Sequence, residues 1–178
     1  HLATLGALDA RLIPEVAALA ETIEKKAEGW MDVAKIGRTH LQDAVPLTVG
    51  QEWCAWAEAL RAACAELEHA REGLCEIALG GTAVGTGLNA PEGFSEDVAA
   101  EIARIPRLPI RTARNKFYAQ GTLDPIVRFS AALRGLAVAL IKIANDLRWL
   151  ASGPRCGIGE LKLPQNEPGS SIMPGKVN

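Results

Sequence analysis

The chain has 178 residues, 48% hydrophobic and 22% charged, which suits one globular domain with an aliphatic core and excludes a disordered segment. Lys and Arg number 19 against 21 Asp and Glu, a net charge of −2, so no global basic field exists to hold nucleic acid or an anionic membrane, although a local anion site stays open. Aromatic residues are only 4% while Ala occurs 30 times, a composition for close helix contacts rather than a β-sandwich.

Helical spacing starts at once. Leu2, Leu5, Leu8, Leu12, Val16, Leu19 and Ile23 recur at three- and four-residue steps over 2–28. Pro14 interrupts them and predicts a kink or break near Ile13. Residues 30–48 hold Gly37, Pro46 and many polar groups, and read as a loop or short irregular pieces. A long helix follows from Val49 to Leu79, with Trp53, Trp56, Leu60, Ala63, Leu67, Leu74 and Ile77 on a near-heptad stripe. Residues 80–93 form a glycine-rich connection. Ser95 reads as the N-cap of a short helix over 95–105, stopped by Pro106 and Pro109. Residues 110–121 read as irregular. A second long helix spans 123–151, with Ile126, Val127, Leu133, Leu136, Leu140, Ile143, Leu147 and Leu150 on its apolar face and Gly153-Pro154 as its stop. The fold class is therefore all-α, a bundle of long, roughly antiparallel helices.

Cys54, Cys64, Cys75 and Cys156 form no Cys-x-x-Cys pair and no zinc spacing. They read as reduced thiols of a cytoplasmic protein, with no metal. No run approaches the ~20 apolar residues that span a bilayer, so no membrane partner is expected. The sequence starts with His rather than Met and stops abruptly after Gly-Lys-Val-Asn, and reads as a piece of a longer polypeptide.

Three loops carry chemistry-bearing groups. Gly37-Arg-Thr-His-Leu-Gln-Asp-Ala44 places a cation, a hydroxyl, an imidazole, an amide and a carboxylate close together. An imidazole exchanges protons near neutral pH, and a neighbouring carboxylate or amide fixes its tautomer. The alternative is a loop whose polar groups satisfy only local backbone. His69 lies in a charged helix stretch and reads as a solvated surface residue.

The second loop, Gly80 to Asn89, lacks the Gly-x-Gly-x-x-Gly order and any following Lys, so a dinucleotide site is a poor reading. Its glycines let backbone approach a ligand or neighbour, or simply supply positive-φ positions in a connection. The third is Gly169-Ser-Ser-Ile-Met-Pro-Gly-Lys-Val-Asn178. A P-loop is excluded, because five residues separate its glycines and Val follows Lys. Two hydroxyls, loop amides, Lys176 and Asn178 suit a carboxylate, and nearby positive charge suits a deprotonated Ser.

This last segment resembles the signature loop of the fumarase/aspartase superfamily. Gly37 to Ala44 resembles its Thr-His loop, and Gly80 to Asn89 its central glycine-rich connection. Lys142-Ile-Ala-Asn-Asp-Leu-Arg148 and Ser152-Gly-Pro-Arg-Cys-Gly-Ile-Gly-Glu160 resemble its core helix and the turn after it. The matches run in order across essentially the whole chain. Asn166-Glu-Pro-Gly-Ser-Ser171, Gly175 and Gly87-Leu-Asn-Ala-Pro-Glu-Gly-Phe94 look like the class II fumarase subgroup.

The resemblance implies a hydro-lyase that adds water reversibly to fumarate to give L-malate, with no metal or organic cofactor. Ser170 would take the C3 proton. Thr39 and His40 would hold a carboxylate and assist the acid side, with Ser170 and His40 the catalytic pair. Ser171, Lys176, Val177 and Asn178 would bind substrate, Val177 through its backbone. It further implies a homotetramer with active sites shared between subunits. On this reading residues 1–178 are a central helical domain incomplete at both ends, and 165–178 open the catalytic loop. Two upstream catalytic blocks of the family lie outside the sequence, so the piece alone is expected to have little activity. Residues 111–125 depart from the pattern: the family normally has Pro where Arg114 stands, and a different run after Phe117. An aspartate ammonia-lyase using the same loop, or a silent helical assembly module like the lens crystallins of the superfamily, are the alternatives.

Overall fold

A computed structural model of the chain describes residues 1–104, 108–174 and Lys176. Helix α1 (Leu2–Ala7) runs through a π-helical turn at Leu8–Leu12 into α2 (Ile13–Glu28). The expected break at Ile13 does not occur. Pro14 sits in the first turn of α2, and the wider turn before it lets the helix continue without the usual clash between the proline ring and the preceding carbonyl.

The expected loop over 30–48 is instead an antiparallel hairpin, β1 (Ala34–Thr39) and β2 (Gln42–Thr48). Its pairing slips between Ile36 and Arg38, where Ala44 and Val45 oppose the single Gly37, so the bulge lies in β2. A Cβ on Gly37 would lie 2.7 Å from the Val45 carbonyl oxygen, so only glycine lets the strands close there. Period-two alternation is weak in this segment because most of it is exposed, which is why its sequence reads as loop.

Helix α3 (Val49–Leu74) opens on a capping box: the Gln51 amide donates to Thr48 Oγ1 and the Thr48 amide donates to Gln51 Oε1. It packs along α2. Val16, Ala20, Ile23 and Ala27 are buried on one helix, and Trp53, Trp56, Ala57, Leu60, Leu67, Ala70 and Leu74 on the other. Leu60, Leu67 and Leu74 are fully buried at seven-residue steps, each stabilising the pair by about 2 kcal/mol. Gly50 seats the start of α3 on the end of α2, since a Cβ there would fall 2.5 Å from the Ala27 oxygen. Trp30 and Trp53 meet edge-to-face at 4.8 Å, and Lys26 Nζ lies 5.6 Å from the centre of the Trp30 ring.

Helix α3 ends at Leu74, not Leu79. The chain then extends as β3 (Glu76–Ile77) and pairs in parallel with β4 (Arg111–Thr112). The Arg111 amide donates to the Cys75 carbonyl and the Ala113 amide to the Ile77 carbonyl, so tertiary partners overrule a pattern that could have stayed helical. Helix α4 (Phe94–Arg104) starts one residue before Ser95, which therefore lies in its first turn and is not its N-cap. Its expected stop at Pro106 lies outside the described residues. Within the expected irregular stretch, Asn115 caps a short α5 (Lys116–Gly121) by accepting from the Tyr118 amide at 3.0 Å.

Helix α6 (Asp124–Leu150) falls within the expected bounds, with Phe129, Leu136, Ile143 and Leu150 buried at seven-residue steps, while Val127 and Leu140 of the expected apolar face are exposed. The chain divides into two compact units, His1–Ala139 and Leu140–Asn178. In the second, the segment after α6 winds back on the helix end. The Glu160 and Leu161 amides donate to the Leu150 carbonyl, and Ser152 Oγ accepts from the Ile158 amide at 3.0 Å. No helix among the described residues is long and apolar enough to cross a membrane.

Candidate functional site

Thr39 and His40 lie in the first unit, at the tip of the hairpin. Thr39 pairs with Gln42 as the last rung, and His40 and Leu41 form the two-residue turn. Their φ angles are 52° and 61°, the left-handed pattern of a type I′ turn. Asn and Gly normally occupy such positions. A His and a Leu there are strained, and strain of this kind gathers at functional sites. Thr39 and His40 are both exposed at this tip. Arg38 and Asp43 face each other one rung further down.

The second set lies in the other unit. The Gly169 amide donates to the Lys176 carbonyl at 2.9 Å and brings these two positions together. Between them in sequence, Ser170 Oγ accepts from the Ile172 amide at 3.4 Å and the Met173 amide at 3.3 Å. Both bonds are long, yet both donors point at one oxygen. Donors so placed stabilise negative charge on that oxygen. Ser170 is half-buried, whereas Ser171, Ile172 and Lys176 are exposed. Val177 and Asn178 lie outside the described residues. The fold thus joins Lys176 to Gly169, the neighbour of Ser170, and sets Thr39 and His40 at one hairpin tip.

The glycine-rich segment takes the shape its sequence allows, with positive φ at Gly80, Thr82, Gly85, Gly87 and Asn89. Reading 110–121 as irregular concealed that the Asn115 cap brings Arg114 and Lys116 beside this segment. The available signal was an Asn three residues before Tyr118, in N-cap position. Cys54, Cys64, Cys75 and Cys156 are free thiols. Among the described residues no three His, Cys, Asp or Glu side chains cluster so as to hold a metal. His69 is exposed on α3, as its charged surroundings suggest.

Long helices, a Thr-His turn and a Ser-Lys loop follow one another in this order along the chain. The chain belongs to the family described as lyase, whose model matches residues 1–178. It is 62% identical over its whole length to a class II fumarate hydratase of Methanosarcina acetivorans, covering 37% of that protein. Among solved structures it superposes on a recombinant class II fumarase from Schistosoma mansoni with a TM-score of 0.91, at 39% identity, over 99% of this chain and 40% of that one. It also superposes on a fumarate lyase:delta crystallin from Brucella melitensis, bound to cobalt, with a TM-score of 0.86 at 45% identity, over 99% of this chain and 38% of that one. The chain therefore spans about two fifths of the length of the relatives it matches.

Proposed function

We propose that the protein containing this chain is a class II fumarate hydratase, interconverting fumarate and L-malate, and that the chain supplies its central helical domain and the start of its catalytic loop. The observation that carries the reading is the Ser170 loop: two backbone N–H groups converge on the hydroxyl oxygen, and the Lys176 carbonyl meets the neighbouring Gly169 amide.

The division of labour follows from charge. In the direction of dehydration, Ser170 Oγ removes the C3 proton of malate, and the electron pair moves into the adjacent carboxylate as a dianionic aci-carboxylate. Lys176 and Ser171, with Val177 through its backbone and Asn178, bind that carboxylate and stabilise the second charge where it develops. Collapse of this intermediate forms the double bond and expels the C2 hydroxyl. Thr39 and His40, presented at the rigid turn, hold a substrate carboxylate and serve the acid side of that step. The mechanism as drawn uses no organic cofactor and no metal.

The two sets belong to a homotetramer whose active sites combine residues from different subunits, in the cytoplasm. Support for assembly comes from α6, where Val127, Val138, Ile141 and Trp149 are each more than half exposed along one stripe. An apolar stripe on a helix of this length calls for a covering partner.

The test uses the full-length protein, followed by ultraviolet absorbance of the fumarate double bond. Malate should give rising absorbance and aspartate none, with Ser170→Ala lowering kcat by at least about a hundredfold. Absorbance rising only with aspartate would make the protein an ammonia-lyase. Turnover of neither by a folded tetramer would make it an assembly module.

A further inference from the structure

We propose that the cavity between the glycine-rich segment and the start of α5 binds a small oxyanion, a carboxylate- or phosphate-bearing metabolite, through Arg114 and Lys116. The cavity has a volume of about 560 Å³ and is lined by Gly85, Thr86, Ser95, Arg114, Asn115 and Lys116, among others. That is the size of a small-molecule site.

The walls are locked together rather than loosely apposed. A Cβ on Gly85 would fall 2.8 Å from the Phe117 backbone nitrogen, so the glycine is what lets α5 come so close. A Cβ on Gly80 would overlap Ser95 Oγ at 1.9 Å, which fixes α4 against the same segment. Gln120 Nε2 donates to the Thr82 carbonyl at 2.9 Å and ties the other end of α5 down. Three stretches far apart in sequence are thereby held around one concavity.

The charged side chains that line it, Arg114 and Lys116, are both cationic. No carboxylate lines it. Glu96 and Asp97, in the first turn of α4, are exposed and outside the lining. Several Arg and Lys side chains elsewhere pair, among them Arg71 with Asp9, Arg111 with Glu76 and Lys35 with Glu52. Arg114 and Lys116 have no ion pair among the described residues, and both face the cavity. A guanidinium fork and an ammonium meet an oxyanion at two edges, and the Thr86 and Ser95 hydroxyls add directed donors. The Asn115 oxygen is used by the α5 cap, which leaves its amide NH₂ to donate as well. The glycine-rich segment follows the end of α3 and the hairpin that carries His40 precedes its start, and 26 helical residues set those two helix ends about 39 Å apart.

The experiment is calorimetric titration of the full-length protein in a Lys176→Gln background, which disables the other candidate anion lysine and makes the result independent of the proposed catalytic reading. Inorganic phosphate and succinate are titrated separately at low ionic strength. At least one should bind once per chain, and R114Q/K116Q should weaken it roughly tenfold or more. Whichever binds more tightly tells whether phosphate or carboxylate is the recognised group. Arg114→Pro, which restores the residue usual in the family pattern, is the second variant should the double one unfold, and it too should weaken binding. Binding of neither anion, or equal binding to wild type and to the folded variants, overturns the proposal.

Discussion

Arg71 grips Asp9 with both arms of its guanidinium: Nε donates to Oδ1 at 2.6 Å and Nη2 to Oδ2 at 2.5 Å. Asp9 sits in the π-helical turn and Arg71 in the last turns of α3, so the pair pins the one irregular stretch of the first helix to the long helix beneath it. Both side chains are less than a third exposed, which keeps the pair from being screened like a surface contact. The bond to Asp9 also holds the Arg71 guanidinium above its ordinary pKa, against the opposing pull of burial.

Asp9→Ala should therefore lower unfolding free energy by about 2 kcal/mol, because it leaves a partly buried cation with nothing to bind. Arg71→Lys should cost nearly as much, since an ammonium cannot reproduce the two-armed geometry. Urea denaturation of the full-length protein checks both. A loss under 0.5 kcal/mol for Asp9→Ala, the scale of an ordinary surface pair, would show that the contact is not structural.

The hairpin turn gives a second test, because stability and function pull apart there. Leu41 is exposed and held at φ 61°. Leu41→Gly removes the left-handed strain and should raise stability by about 1 kcal/mol. His40→Asn keeps a residue that tolerates φ 52° but removes the imidazole. Its melting temperature should stay within about 2 °C of wild type while kcat falls at least tenfold. A matched fall in both would mean that His40 serves only the turn.

Much of this was legible in the sequence, and the failures have a common cause. Seven-residue spacing located α3 and α6, since burial along a helix leaves a periodic trace. It overran the end of α3 because Ile77 continues the stripe, while the true stop depends on Arg111 and Ala113 offering backbone partners from 35 or so residues away. The hairpin was invisible because its strands are mostly exposed and its turn uses His and Leu in place of Asn and Gly. The Ser170 loop was legible as chemistry, through its residue types, but the meeting of Gly169 with Lys176 is a backbone relation that no side chain announces.

Burial raises the Cys75 thiol above its usual 9.0, although Arg71 and Arg111 pull the other way, and it raises Cys64 likewise. A raised pKa means that folding favours the protonated thiol. That contribution is complete below the unfolded value and disappears as pH climbs through the folded one. The stability advantage of wild type over Cys75→Ala should therefore narrow between pH 8 and pH 10.5, read as urea midpoints. At pH 8, iodoacetamide should label exposed Cys54 and Cys156 in the native protein well before buried Cys75. A constant gap between the two proteins across this range would show that Cys75 does not ionise on unfolding.

Gly85 offers the sharpest test of how the glycine-rich segment is built. Its φ of 103° is closed to a side chain, and a Cβ would also press within 2.8 Å of the Phe117 nitrogen. Neither obstacle has a flexible end to move aside, so Gly85→Ala should cost about 3 kcal/mol from strain and overpacking together. Gly121→Ala is the control, because its Cβ would meet nothing within 4 Å. That change should stay within about 0.5 kcal/mol of wild type. Hydrogen exchange locates the damage: in Gly85→Ala the Tyr118 amide, bonded to Asn115, and the Ala113 amide, bonded to Ile77, should lose protection first. Unchanged protection at both amides would mean that α5 does not depend on Gly85 for its seat.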